Sequence, residues 1–292
     1  MKRRPTGLVA VGRLLVGTRR RGARAGRCLA TRVTATLLSG LAGLLVAAPA
    51  TRLLATSGWW PALRGAEASP ALVAELDGVA TRYHEDPAAL DRIYQALQQA
   101  AQSPGADVPT LVALARAAYI WGDVRATSTE QKLAAYERGR QAARRAVERE
   151  PRNAAAHFWY ATNTGRWGQT RGVLRSLFLL PELRREIDTV LELDPNLVGV
   201  YLLAGSVDYE VPGMFGGDLA RSEARLRRGL ELDPRFTGLR VALAKTLIRR
   251  GRTAEARREL EAVLAERAPR NPADWTVKDV PEARRLLESL GK

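Results

Sequence analysis

The chain has 292 residues, and 46% of them are hydrophobic, which is enough for a substantial core. Its formal charge is +15, but twelve of the 46 basic residues precede the first acidic residue, Glu67. From residue 67 onwards, 34 basic residues stand against 31 acidic ones, a net charge of +3. A nucleic-acid groove needs its positive charge on the folded part, so we expect no nucleic-acid partner.

The N-terminal segment resembles an export signal. Nineteen residues between Arg32 and Arg52 carry no charge, ten basic residues precede them, and Ala48-Pro49-Ala50 forms a small-residue cleavage site. Nineteen residues are also about the length of a membrane anchor. A buried Ala/Leu helix is the alternative.

This layout predicts three parts. Residues 1–50 form a basic region plus an apolar signal peptide or membrane anchor, residues 51–69 form a linker, and residues 70–292 form one helical domain. We expect that domain to lie outside the cytoplasm, either in the periplasm or anchored to the inner membrane. An uncleaved segment 33–51 would contact the membrane.

Apolar residues at helical spacing predict helices throughout the folded part. Asp86-Pro87 divides residues 70–103 into two helices, and a third runs from Val108 to Trp121. Ser128 and Gln131 form a capping-box pair that begins a helix ending at Glu150. The face of that helix around Gly139 alternates large and small residues, which favours close approach of a neighbouring helix.

Three helical hairpins follow in the second half of the chain. Their predicted helices are 154–167 with 181–193, 198–210 with 218–232, and 237–250 with 253–267. Prolines stop the helices at Glu150-Pro151, Asp194-Pro195, Asp233-Pro234 and Ala268-Pro269. The sequence therefore predicts an all-α fold of stacked antiparallel helix pairs that form a superhelix.

The last hairpin resembles a tetratricopeptide repeat (TPR) of near-consensus length. It places Leu243, Ala244, Gly251, Ala256 and Leu260 at signature positions, and a positive φ is expected at Gly251. The two preceding hairpins resemble the same repeat but carry insertions. These insertions read GVLRSLFLLP at 172–181 and VPGMFGGD at 211–218.

A longer set of strings resembles one particular family. AHFWYATNTGRWG, LFLLPELRREIDTVLELDP and VPGMFGGD are similar to the bacterial T-component family of tripartite (TRAP) transporters, and more faintly to the regulator-of-microtubule-dynamics proteins. The resemblance implies an exported helical-repeat protein that associates with a solute-binding subunit. Members are often lipoproteins, whereas Arg27 precedes Cys28 here and no lipid-attachment motif is present.

The sequence offers no catalytic constellation, so we expect neither an enzyme nor a cofactor. We interpret His157 as a histidine packed within a helix. Two histidines and one cysteine cannot form a conventional zinc site. Gly213 to Asp218 lacks the Lys-Ser/Thr of a phosphate-binding loop. Asp218 is expected to be a helix N-cap instead.

Candidate binding residues come from the repeat register. In a TPR array the first helix of each pair lines the concave face, which here predicts a face made of Phe158, Thr162, Arg166, Leu202, Ser206, Tyr209, Val241, Lys245, Ile248 and Arg249. Apolar anchors with a few cations suit a peptide, an acidic terminus or an amphipathic ligand. Asn163, Trp167 and both insertions are expected near the rim.

Our hypothesis is a non-enzymatic, exported or membrane-tethered scaffold that binds another protein or peptide. The rival is a transporter accessory that binds a solute-binding subunit or an apolar or acidic small ligand. The oligomeric state stays open. The apolar insertion 172–181 is expected to bury against the adjoining helices, with a partner or lipid as the alternatives.

Overall fold

The computed structural model describes residues 60–291, with side chains from residue 70 onwards. The expected signal or anchor at 1–50 lies outside the described residues. Within the described part, all regular structure is helical. The α-helices are α1 (Trp60–Arg82), α2 (Pro87–Ala100), α3 (Val108–Val124), α4 (Thr129–Arg149), α5 (Ala154–Arg171), α6 (Leu180–Leu193), α7 (Gly199–Glu210), α8 (Leu219–Leu232), α9 (Thr237–Arg249), α10 (Thr253–Ala265), α11 (Pro272–Asp274) and α12 (Val280–Leu290).

The predicted ends of α4 and of α6 to α10 are confirmed to within two residues, whereas α3 and α5 continue three and four residues past their predicted ends. Helices α4, α6, α8 and α10 each end one to three residues before a predicted proline stop. Ser128 and Gln131 form both halves of the capping box. Asp218 caps α8 by accepting from the backbone amides of Ala220 and Arg221, and Gly251 has a φ of 75°. Local backbone chemistry therefore sets these boundaries.

Two helical segments differ from the sequence prediction. Helix α1 begins at Trp60 and continues through Pro70, so it occupies the second half of the segment expected to be a linker. The region from Pro272 to Leu290, for which no helix was predicted, contains α11, a π-helical turn at Trp275–Asp279 and α12. No helix between residues 60 and 291 combines the length and hydrophobicity needed to cross a bilayer.

Four hairpins stack with their first helices on the inside. Helices α3, α5, α7 and α9 each contact the next in this inner row, whereas α4, α6 and α8 pack outside between successive members. Close packing depends on glycine at several contacts. A Cβ on Gly139 of α4 would lie 2.3 Å from the Oδ1 of Asn163 on α5, which explains the small-residue face expected for α4.

The C-terminal segment 271–279, here called the closure segment, packs against the beginning of the fold. Ala273 is fully buried in the same core as residues of α1 to α5. The Tyr83 hydroxyl donates to Oδ1 of Asp274 over 2.6 Å, and the Asn271 side chain donates to the carbonyl of Ala80 over 3.2 Å. These contacts join residues 191 positions apart, so the helix stack closes on itself.

Candidate binding groove

The inner helix row and the closure segment enclose a groove with a cavity of about 940 Å³. Eight of the ten residues predicted for the concave face line it: Phe158, Thr162, Arg166, Leu202, Ser206, Tyr209, Val241 and Lys245. The other two lie elsewhere. Ile248 packs against the C-terminal core. Arg249 donates to the carbonyl of Tyr209 over 2.5 Å and lies over that tyrosine ring, 4.6 Å from its centroid.

Apolar side chains form most of the groove wall. Phe158 of α5 extends onto the first turn of α7, where a Cβ on Gly199 would lie 2.7 Å from the ring. Leu202 of α7 and Val241 of α9 continue the wall along the stack. Asn163, expected near the rim, is instead fully buried and donates to the carbonyls of Ala115 and Trp159. It locks α5 to α3 rather than facing a ligand.

The positive and negative side chains that line the groove are equal in number. The lining contains five cations, Arg116, Arg166, Lys245, Arg270 and Lys278, and five carboxylates, Asp123, Asp194, Glu210, Asp274 and Asp279. Each of the five cations makes an ion pair with a carboxylate. Within the part of the chain that the structure describes, the groove therefore offers no unpaired cation to the acidic terminus or acidic ligand that the sequence led us to expect.

The groove contains a buried charge network where the closure segment meets α3 and α5. The Asp123 carboxylate accepts from the Tyr136 hydroxyl over 2.8 Å and from Nε of Arg166 over 2.9 Å, and Nζ of Lys278 lies 3.5 Å away. Lys278 also lies 2.8 Å from the Asp274 carboxylate. Burial raises the pKa of Asp123, but the charges of Arg166 and Lys278 outweigh it, and the pKa lies below its usual value.

Two carboxylates on the C-terminal side have opposite pKa shifts. Burial raises the pKa of Asp279 to about 6, although the Thr237 hydroxyl donates to this carboxylate over 2.6 Å. Hydrogen bonds from Arg285 and Lys245 lower the pKa of Glu282 to about 2 against the opposing effect of partial burial. Lys245 therefore ties α9 to α12 through a 2.6 Å ion pair and is not the free binding cation that the repeat register suggested.

Sequence reasoning missed the groove residues of the closure segment because it predicted no helix there. A signal was present, since Asn271 followed by Pro272 matches an N-cap with proline at the first helical position. The sequence pattern also did not indicate that two carboxylates outside the groove are buried. Asp208 is 1% exposed between Arg221 and Arg225, and Glu223 is 3% exposed among three arginines.

Other chemistry-bearing residues have structural partners. His157 is buried, with Nδ1 lying 2.6 Å from the Glu186 carboxylate and Nε2 3.0 Å from the carbonyl of Pro151. This agrees with a packed helix histidine. Between residues 70 and 291, no three histidine, cysteine or acidic side chains are grouped so that they could hold a metal ion. That the protein is not an enzyme stays a prediction.

Two family models match the sequence. Residues 72–214 match the model described as regulator of microtubule dynamics protein 1–3, which is the fainter of the two resemblances noted above. Residues 216–278 match a tetratricopeptide-repeat model. No curated protein matches the sequence. The relationship to the transporter T-component family stays a prediction.

Several solved structures match this chain at low sequence identity. The thermophilic TPR protein TTC0263 of Thermus thermophilus is 19% identical, with a TM-score of 0.55 over 76% of this chain and 98% of that one. MamA of Desulfovibrio magneticus RS-1 is 14% identical, with a TM-score of 0.40 over 66% and 94% of the two chains. The TPR2AB domain in the pHSP90 complex of yeast Sti1 is 13% identical, with a TM-score of 0.32 over 78% and 100%.

The family matches, the first of these structures and the helix packing agree on the class of fold. Four stacked hairpins with their first helices inside form a solenoid, an architecture that presents a concave binding surface. The chain therefore has a tetratricopeptide-repeat fold.

Proposed function

We propose that the protein is a non-enzymatic scaffold that holds an apolar, weakly charged segment of a partner protein in the groove. The observation that carries this proposal is a cavity of about 940 Å³ whose walls come from the four inner helices α3, α5, α7 and α9 and are mainly apolar. A concave apolar surface with a few polar groups is typical of ligand recognition. Because the groove's five cations are already paired, we expect apolar anchors and neutral polar groups, rather than acidic ones, in the partner.

Site-specific photo-cross-linking tests this proposal. A photoreactive amino acid at Leu202, in the groove wall, should cross-link a discrete partner protein in cells that express the full chain. The same substitution at Leu264, an exposed leucine of α10 outside the groove, serves as the matched control. Identical products at both positions, or none at Leu202, would contradict the proposal.

A second pair of variants tests occupancy of the groove. Ser206→Trp adds a large side chain to the groove lining and should abolish the Leu202 cross-link. Ser289→Trp places the same side chain on α12 away from the groove and should leave the cross-link intact. Thermal unfolding of both variants checks that the fold survives.

The rival function, capture of a small molecule, is favoured by one observation. Thr162, Thr164 and Ser176 line the groove and are at most 8% exposed, and their hydroxyls have no hydrogen-bond partner among the residues that the structure describes. A small apolar ligand with one polar group would satisfy them. Native mass spectrometry of the purified protein would reveal such a ligand as a retained mass, which Ser206→Trp should displace.

We further propose that the helical domain lies outside the cytoplasm, tethered by or released from the segment 1–50, and that a transporter solute-binding subunit is one candidate partner. The apolar run between Arg32 and Arg52 and its basic flank support this placement. Alkaline phosphatase fused after Lys292 should be active in bacteria. An inactive fusion, with an active green fluorescent protein fusion at the same position, would place the domain in the cytoplasm instead.

A further inference from the structure

Exposed hydrophobic side chains are concentrated in the two insertions. Four of the six large hydrophobic side chains that are exposed among residues 70–291 lie there: Leu174 is 66% exposed, Phe178 69%, Met214 85% and Phe215 41%. The sequence predicted that the first insertion would bury against the adjoining helices. Leu179 and Leu180 do so, whereas Leu174 and Phe178 do not. The exposure of these four side chains, here called the apolar tips, therefore calls for a physical explanation.

The two insertions are neighbours. Each interrupts the turn within a hairpin, the first between α5 and α6 and the second between α7 and α8, so both lie along the same edge of the stack. The Arg184 guanidinium of α6 donates to the carbonyl of Gly216 over 2.7 Å, which holds the second insertion beside the helix that follows the first. Residues 171–179 and 211–217 together are called the insertion edge.

The insertion edge also carries unpaired positive charge. The sequence contains no acidic residue between Pro151 and Pro181. Arg171 and Arg175 are exposed and make no ion pair within the described part of the chain. The Arg171 guanidinium lies 4.6 Å from the ring centroid of the half-buried Trp167. Apolar tips, a tryptophan and free arginines are the side chains that favour the interface of an anionic bilayer.

The area of the insertion edge argues against a second copy of the chain as its partner. Side chains of this size bury about 150–250 Å² each when fully covered. At their observed exposure, the four tips offer roughly 400–650 Å², less than the ~800 Å² per partner that a stable protein interface buries. Insertion of tips into a lipid interface needs no complementary protein surface.

We propose that the insertion edge docks onto an anionic membrane surface. Leu174, Phe178, Met214 and Phe215 enter the interfacial region, while Arg171 and Arg175 contact lipid phosphates. The six side chains that make this contact do not line the groove, although other residues of the insertion edge do. The docking does not depend on the function proposed for the groove.

An environment-sensitive fluorophore tests the contact in the full chain. In a Cys28→Ser background, Met214→Cys carries the fluorophore on the insertion edge, and Leu264→Cys carries it on an exposed leucine at the far end of α10. Vesicles of equal parts phosphatidylcholine and phosphatidylglycerol should shift the emission at position 214 to the blue and leave position 264 unchanged. Vesicles of phosphatidylcholine alone should give a much weaker shift at position 214.

Two further variants separate charge from apolar contact. Arg171→Gln with Arg175→Gln should raise the vesicle concentration for half-maximal shift about 25-fold, since each cation near an anionic surface contributes about fivefold. Leu174→Ser with Phe178→Ser should raise it more than about tenfold.

Three outcomes overturn the proposal. They are no shift at position 214 on any vesicle, an equal shift on neutral vesicles, and a shift without vesicles that grows with protein concentration, which would assign the insertion edge to a second copy of the chain.

Discussion

Replacement of Asp123 by alanine tests the charge network that closes the groove. The carboxylate is 6% exposed and is the shared partner of Arg166, Lys278 and the Tyr136 hydroxyl. Removal of one partner from a buried ion network destabilises a protein by about 3–5 kcal/mol. Here Arg166 and Lys278 retain 38% and 27% exposure, so solvent in the groove takes part of their charge. We therefore expect Asp123→Ala to lower the free energy of unfolding by about 3 kcal/mol, the lower end of that range.

The assay is urea unfolding followed by circular dichroism at neutral pH, with Lys278→Met and the double variant completing a mutant cycle. Because Asp123→Ala leaves Lys278 with one carboxylate fewer, the double variant should be more stable than the sum of the single effects predicts, by about 1 kcal/mol or more. A loss below about 1 kcal/mol for Asp123→Ala, or strict additivity in the cycle, would refute the network as described.

The pH dependence of the same variant has a defined sign. Because the pKa of Asp123 is lower in the folded state than its usual value of 3.8, this carboxylate stabilises the fold above that pH. The stabilisation is lost as the pH falls through the folded pKa. The stabilities of the wild-type protein and Asp123→Ala should therefore converge in acid, and a difference that persists at the lowest pH would contradict the reasoning.

The other predictions concern single contacts. Gly139→Ala should lower the free energy of unfolding, measured with urea, by at least about 2 kcal/mol, because its Cβ would overlap the buried Asn163 amide. An unchanged free energy of unfolding would mean that α4 and α5 can move apart. Asp279→Asn should stabilise the protein at pH 8, by up to about 3 kcal/mol, and have little effect below pH 3.8, since the raised pKa of about 6 means that stability is lost as the pH rises from 3.8 to 6. Tyr83→Phe should lower the free energy of unfolding by about 1–2 kcal/mol through loss of its hydrogen bond to Asp274, and faster hydrogen exchange in α1 would locate the effect at the closure contact.

The groove shows how far repeat register can predict a site. Phe158, Leu202 and Val241 line the groove as expected because side chains four or seven residues apart share one face of a helix. The repeat register cannot predict which charged side chains are already paired with one another. Lys245 matched the concave face, yet its partner Glu282 lies 37 residues away on α12, a helix that the sequence pattern did not reveal.

The sequence by itself determined most helix boundaries between residues 87 and 265, with the C-terminal ends of α3 and α5 as exceptions. Prolines, the Ser128 capping box and Gly251 act within a turn of their own position, so their effect can be read without knowledge of the fold. Only the tertiary structure decided that the stack closes through Tyr83 and Asp274, and that Leu174 and Phe178 stay exposed. These features depend on contacts between distant segments, and hydrophobic pattern alone does not distinguish an apolar residue that packs inside from one that projects outside.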